Sequence, residues 1–285
     1  MPDTHRKIGI HNLIRGFISL GFAVFIAYLV KSGDIHLFIA PRMLILVKIS
    51  AIGLYLIGAY QLYTAYRHLH RKHVICDDCE HVPEGSLWKH LMIYGLFVLP
   101  LLLGVLLPNS TMGSALAAKK GMNLSASASG RILTSAEPED SPSFLADEYN
   151  EDFARLAKKL YQEDVIEVSE DMYMEILTSI DLFMNEFQGK TVELGGFVYR
   201  EDTMNEKQFV IGRFAMDCCS ADALPYGVLV EYDKAGRYED DAWIRVRGTI
   251  SKTVYQGQEI MVLRPESIIP ISEPETPYIY PNYNF

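Results

Sequence analysis

Cysteine is scarce in this chain, with four among 285 residues, and tryptophan is scarcer still at two. Four cysteines cannot staple a chain of this length, so a disulfide scaffold is excluded. They fall as Cys76 with Cys79 and Cys218 with Cys219, and each pair has to be read in its own surroundings. Also missing are a nucleotide-binding glycine loop, a catalytic triad and a zinc-protease helix motif, which argues against an ATPase or a familiar hydrolase. Positive charge is short as well, but only in the second half. Residues 144–285 hold 27 acidic side chains against 13 Lys and Arg, whereas residues 1–143 hold 9 against 13. A domain so acidic is repelled by phosphate backbones and anionic head groups, which disfavours nucleic acid as a partner.

Long apolar runs are abundant, and all of them lie before Pro108. Leu13 to Val30 follows a basic stretch, and no small-residue cleavage site comes after it, so it reads as an uncleaved signal anchor. Met43 to Tyr63 is about the ~20 residues needed to cross a ~30 Å hydrocarbon core, and its Lys48 can snorkel to an interface. Leu91 to Leu107 is short but uncharged, with Trp88 as an interfacial anchor and Pro100 as a predicted kink. About three transmembrane helices follow. Arg6, Lys7 and Arg15 at the N-terminus, and Arg67, Arg71, Lys72 and Lys89 in loop 64–90, outnumber Lys31 and Arg42 in the first loop. By the positive-inside rule, the N-terminus and the second loop are cytoplasmic and everything after Leu107 is extracytoplasmic.

The composition divides the chain into a transmembrane region at 1–107, a Ser/Ala/Gly-rich flexible linker at 108–143, a helical segment at 144–188 and a β domain at 189–285. In the helical segment Tyr149, Phe153, Leu156 and Leu160 share one face. Ser169 is expected to cap a second helix bearing Met172, Ile176, Leu177 and Ile180. After Gly189 the period becomes that of strands, at Lys190–Arg200, Gln208–Met216, Gly227–Tyr232, Ala242–Tyr255 and Glu259–Ile269. Five strands, with Gly195 and Gly196 where a closed sheet would bend sharply, suggest a small OB-like barrel, with a sandwich or open sheet as the competitor. The fold class is therefore a membrane α-helical N-terminal region joined to an α+β soluble domain with a five-stranded OB-like β-barrel.

Two constellations can carry chemistry. In the inner loop, Cys76 and Cys79 are spaced to share an ion, and His73 and His81 can complete a tetrahedral set, which suits zinc. An unliganded polar loop is the main alternative, and a redox dithiol is a further one, though no thioredoxin-like strand and helix surround it. Cys218 and Cys219, followed by Asp222, leave several readings open: one packing thiol beside an incidental one, a vicinal disulfide, a soft-metal site or a thiol-redox centre. Tyr278, Tyr280 and Tyr283 make an aromatic tail that either meets another subunit or packs back on its own domain.

The segments GKTVELGGFVYR at Gly189–Arg200, RFAMDCCSADALPYGV at Arg213–Val228, WIRVRGTI at Trp243–Ile250 and the closing PYIYP together resemble the YcgQ-like membrane proteins of Gram-positive bacteria. The resemblance extends over nearly the whole chain, and its CC-x-A-D segment is the most specific part. It implies a multispanning permease as partner and a place in zinc or other metal homeostasis. The expected protein is a non-enzymatic accessory subunit, embedded in the lipid bilayer, whose outer domain acts at the mouth of a permease. The alternatives are a solitary envelope binding protein and a thiol-redox protein.

Overall fold

The computed structural model describes residues 2–70, 87–107, 109–124, 144–145 and 150–285. The chain divides into two units, Met1–Ser110 and Thr111–Phe285.

The first unit is helical, with α1 at Pro2–Ser32, α2 at Leu44–His70 and α3 at Leu87–Leu106. Among the described residues, three helices are long and apolar enough to cross a membrane, the shortest candidate span being the 19 residues Trp88–Leu106. At about 1.5 Å per residue that length matches a hydrocarbon core of ~30 Å. Their surfaces stay apolar where nothing in the unit covers them: Leu96 is 72% exposed and Leu106 is 74% exposed. A helix apolar on all sides is stable in lipid and a liability in water. Helices α1 and α2 approach closely because glycine faces glycine. A methyl group on Gly58 would stand 3.1 Å from the Gly16 carbonyl oxygen, so only small residues permit this crossing. Helices α1 and α3 are joined where His11 Nδ1 and the Tyr94 hydroxyl lie 2.6 Å apart.

The second unit is α+β. Its helices are α4 (Ser114–Lys120), α5 (Glu151–Tyr161), α6 (Tyr173–Leu182) and the single turn α7 (Met184–Phe187). Its strands are β1 (Val165–Glu167), β2 (Thr191–Tyr199), β3 (Gln208–Ala215), β4 (Leu224–Glu231), β5 (Trp243–Tyr255), β6 (Gln258–Pro270) and β7 (Tyr278–Ile279). These seven strands form one sheet in the order β1-β2-β5-β6-β4-β3-β7, and β3 also pairs back onto β2. All the pairings of β2, β3, β4, β5 and β6 with one another are antiparallel except β4 with β6. Strand β2 serves two neighbours in succession: Thr191–Phe197 pair with β5, and Phe197–Tyr199 pair with β3. At that switch a side chain on Gly196 would collide with the Gly212 carbonyl, whereas one on Gly195 would meet only the Ile271 methyl at 3.6 Å. Of the two glycines expected to bend this strand, Gly196 is the one that the close approach requires.

The core lies between the sheet and the helices. Ala157 and Leu160 of α5 and Ile176, Leu177 and Ile180 of α6 pack with Val192, Phe209, Ile211, Val246 and Leu263. The spacing expected of α6 holds, with Met172 packed at the edge of that core. Of the face expected for α5, Leu160 is buried and Leu156 packs beside it, whereas Phe153 is half-buried against Phe285 and Tyr149 lies outside the described residues. The start of α6 is not. Met172 occupies the cap position with no side-chain hydrogen bond, and Ser169 lies upstream of it, because the chain first completes β1 and a turn.

Strands β1 and β7, each three residues or fewer, escape the sequence reading because a run so short has no measurable period. Residues 111–124, assigned from composition to the linker, are built into the second unit. Asp241 caps α4 through bonds from the Ser114 N–H at 2.5 Å and its hydroxyl at 2.8 Å, and Asn123 bridges to Tyr226.

Candidate functional site: a cysteine turn at the exit of a strand

Strand β3 ends at Ala215, and the chain must reverse before β4 starts at Leu224. The reversal is organised by one carboxylate. Asp222 Oδ1 accepts the Asp217 N–H at 3.1 Å, and its Oδ2 accepts the Cys218 N–H at 2.8 Å and the Cys219 N–H at 3.3 Å. Three successive N–H groups converging on one anion form a nest, here filled from within the loop. The Asp222 N–H in turn donates to the Cys219 carbonyl at 3.0 Å. Lys120 of α4 braces the same turn, donating to the carbonyls of Ala221 at 3.3 Å and Ala223 at 2.5 Å.

This geometry brings the two thiols together. Both cysteines are free and half-buried, and Cys218 Sγ lies 3.7 Å from Cys219 Sγ. The strand reading, one sulfur in the core and one at the surface, does not describe them, because the pair sits beyond the strand in a bend where alternation no longer holds. The Asp222 carboxylate offers a third ligand atom, and all three lie within 4.8 Å of one another. The hydrogen bond from the Cys218 thiol to Asp222, reinforced by Cys219, pushes that thiol up to about 12. Partial burial works to raise the Asp222 carboxyl, but the bonds from the Cys218 thiol and the three N–H groups outweigh it and hold the carboxyl below its usual range.

The C-terminal tail packs against this end of the domain. Met216 N–H donates to the Ile279 carbonyl at 3.0 Å, and the Tyr283 hydroxyl donates to Asp217 Oδ1 at 2.7 Å. Tyr278 is buried, and its hydroxyl accepts the Met112 N–H at 3.0 Å. Of the aromatic tail, Tyr278 is packed into its own domain and Tyr280 is half-buried, while Tyr283 is 66% exposed.

Arg213, one strand turn before the cysteines, is a residue that the sequence reading passed over. It is 2% exposed, and its guanidinium reaches Glu170 Oε1 at 3.2 Å and the Thr276 carbonyl at 3.0 Å. An arginine inside the apolar run VIGRFAM was the available signal. A broad, shallow groove of about 820 Å³ lies elsewhere on the domain, along Lys207, Glu231, Asp233 and Arg264. Its charges are mixed and exposed, and Lys207 is paired with Asp233 at 2.8 Å. The other expected metal set, His73, Cys76, Cys79 and His81, lies outside the described residues.

Fold and site together define a class of chain in which membrane-length apolar helices are followed by an α+β domain with a carboxylate-organised cysteine turn. This chain belongs to the DUF1980 family: residues 14–123 match the DUF1980 N-terminal domain, and residues 143–281 match the DUF1980 C-terminal domain. It is similar to UPF0703 protein YcgQ of Bacillus subtilis, 28% identical over 94% of this chain and 99% of the relative. It is also similar to a Streptococcus mutans protein named "Putative two-component membrane permease complex subunit", 25% identical over 65% of this chain and 72% of that protein. No solved structure matches the chain significantly.

Proposed function

We propose that the protein is a non-enzymatic, multi-pass accessory subunit of a membrane permease, with its N-terminus cytoplasmic and its acidic second unit outside. The observation that carries this reading is the streptococcal relative, whose printed name makes it one subunit of a two-component permease complex and which aligns over 196 residues. Three candidate spans with exposed apolar faces support it, since such faces suit contact with lipid and with the helices of a larger membrane partner. Charge in the short loops supports the orientation. We read the second unit as an OB-like barrel. The pairings of β2, β5, β6, β4 and β3 return to β2, and the β4–β6 pairing is parallel, which fits five strands wound into a small barrel. Zinc or another metal ion as the solute is part of the proposal and follows the resemblance to YcgQ-like proteins.

The test is affinity purification of the full-length protein from native membranes in mild detergent, with bound proteins identified by mass spectrometry. A multispanning permease recovered in constant ratio is the expected result. Recovery of the protein alone after crosslinking in intact cells would overturn the proposal in favour of a solitary binding protein.

A further inference from the structure

We infer that Cys218, Cys219 and Asp222 form an open, three-ligand site for a thiophilic divalent cation such as zinc or cadmium, with a fourth position left for water or an exchanging ligand. The inference concerns the second unit alone and needs no permease, so it stands or falls separately from the reading above.

Spacing is the first argument. The sulfurs are 3.7 Å apart. Two thiolates bound at ~2.3 Å to one tetrahedral ion are separated by about 3.8 Å, the chord of the tetrahedral angle, whereas a disulfide requires about 2.05 Å. The turn holds two unbonded thiols at the span of a tetrahedral metal. A carboxylate oxygen within 4.8 Å of both supplies the third donor on the same side.

Preorganisation is the second argument. Neighbouring cysteines in an extended chain point apart, so bringing them together costs conformational freedom that a site formed only on binding must supply. Here that cost is met beforehand by three N–H bonds to Asp222 and by the Lys120 brace. A carboxylate has about four lone-pair positions. Three accept backbone N–H groups, which leaves one free on the side of the two sulfurs. When a divalent cation enters, both thiols release their protons to solvent, and two thiolates with one carboxylate leave the site with a single net negative charge.

Openness decides the kind of site. Both cysteines are half-buried and Asp222 is exposed, so one face of the cluster meets solvent. Structural zinc sites close with four protein ligands, while three ligands and an open position belong to sites that act on or exchange what they hold. The expected role is to receive and pass on the cation.

The experiment uses full-length protein in detergent with Cys76→Ser and Cys79→Ser, so that the pair supplies all the thiols, reduced with a phosphine and titrated with cadmium. A thiolate-to-cadmium charge-transfer band saturating at a single equivalent, with both thiols protected from alkylation and zinc displacing the ion, is expected. Cys218→Ser and Cys219→Ser should each remove about half of the band and weaken binding at least about tenfold. Asp222→Asn should keep the band but bind at least about tenfold more weakly, and Asp222→Glu should bind more tightly than Asp222→Asn. Trp243 fluorescence in a Trp88→Phe background reports whether each variant is folded. Absence of the band at one equivalent, a band indifferent to either serine, or equal binding by the two Asp222 variants would overturn the assignment.

Discussion

The guanidinium carbon of Arg213 lies 5.0 Å from the centre of the Trp243 ring, so a charge only 2% exposed is stacked on one of the two tryptophans in the chain. The pairing ties β3 to β5 across β2, and the same arginine holds Glu170 and the tail carbonyl of Thr276. Its ion-pair partner is 54% exposed, so on losing Arg213 the Glu170 carboxylate returns to water instead of being stranded. We therefore expect Arg213→Ala to cost about 3 kcal/mol, mostly from the cavity and the orphaned Thr276 carbonyl. Glu170→Gln should cost about 1 kcal/mol or less. Urea unfolding followed by Trp243 fluorescence, with Trp88 changed to phenylalanine, measures both. Equal losses would show that the ion pair, and not the packing, dominates.

Glu175 supplies a second prediction, in pH. The side chain is 5% exposed, and Oε1 accepts the Asn282 N–H from the tail at 2.8 Å. Burial raises its carboxyl above 4.5, and the Asn282 bond only partly offsets this. The folded state thus prefers the protonated acid. Below the unfolded value near 4.5 Glu175 costs nothing, and as pH rises from there through the raised folded value it draws stability down to a plateau. Glu175→Gln keeps an oxygen for Asn282 and removes the charge. The variant should unfold at a higher temperature than the wild type at pH 7, and the difference should vanish by about pH 4. A constant difference across that range would show that the carboxyl does not titrate differently on folding.

Much of this architecture was legible in the sequence because the signals are local. The apolar runs mark the three helices, and the five longer strands announce themselves as β-branched and aromatic runs bounded by turn residues, with ends displaced by at most three residues. The face of α6 was equally plain, whereas α5 buries Ala154 and Ala157, residues too small to mark a face, beside Leu160. What escaped depends on residues far apart. Strands β1 and β7 exist only through pairing with β2 and β3, and residues 111–124 are held by partners about a hundred positions away or more, Asp241 on α4, Tyr226 beside Asn123 and Tyr278 on Met112. At the site, sequence identified Cys218, Cys219 and Asp222 but not their arrangement. Alternation predicts opposed sulfurs, and only the convergence of three N–H groups on Asp222 turns them to one side.

The last prediction concerns which side of the membrane each cysteine pair occupies, on which the chemistry of both depends. Arg67 in the last turn of α2 and Lys89 in the first turns of α3 flank the second loop, and the N-terminus carries Arg6, Lys7 and Arg15. Basic residues in short loops resist translocation, so the proposed topology has a cytoplasmic N-terminus and, after three spans, the second unit outside. Lys234, exposed between β4 and β5, offers a reporter position on the second unit, and Ser86 offers one in the second loop of the sequence. In a background lacking all four native cysteines, a maleimide that cannot cross membranes should label Lys234→Cys in intact cells within minutes. Ser86→Cys should be labelled only after the membrane is opened. The outcome carries straight to the cysteine turn. In the proposed topology the Cys218–Cys219 pair would face oxidants outside the cytoplasm, and its raised Cys218 thiol would resist them while protonated, because the thiolate is the reactive form. Labelling of Ser86→Cys in intact cells, with Lys234→Cys protected, would invert the topology and move the turn into a reducing compartment.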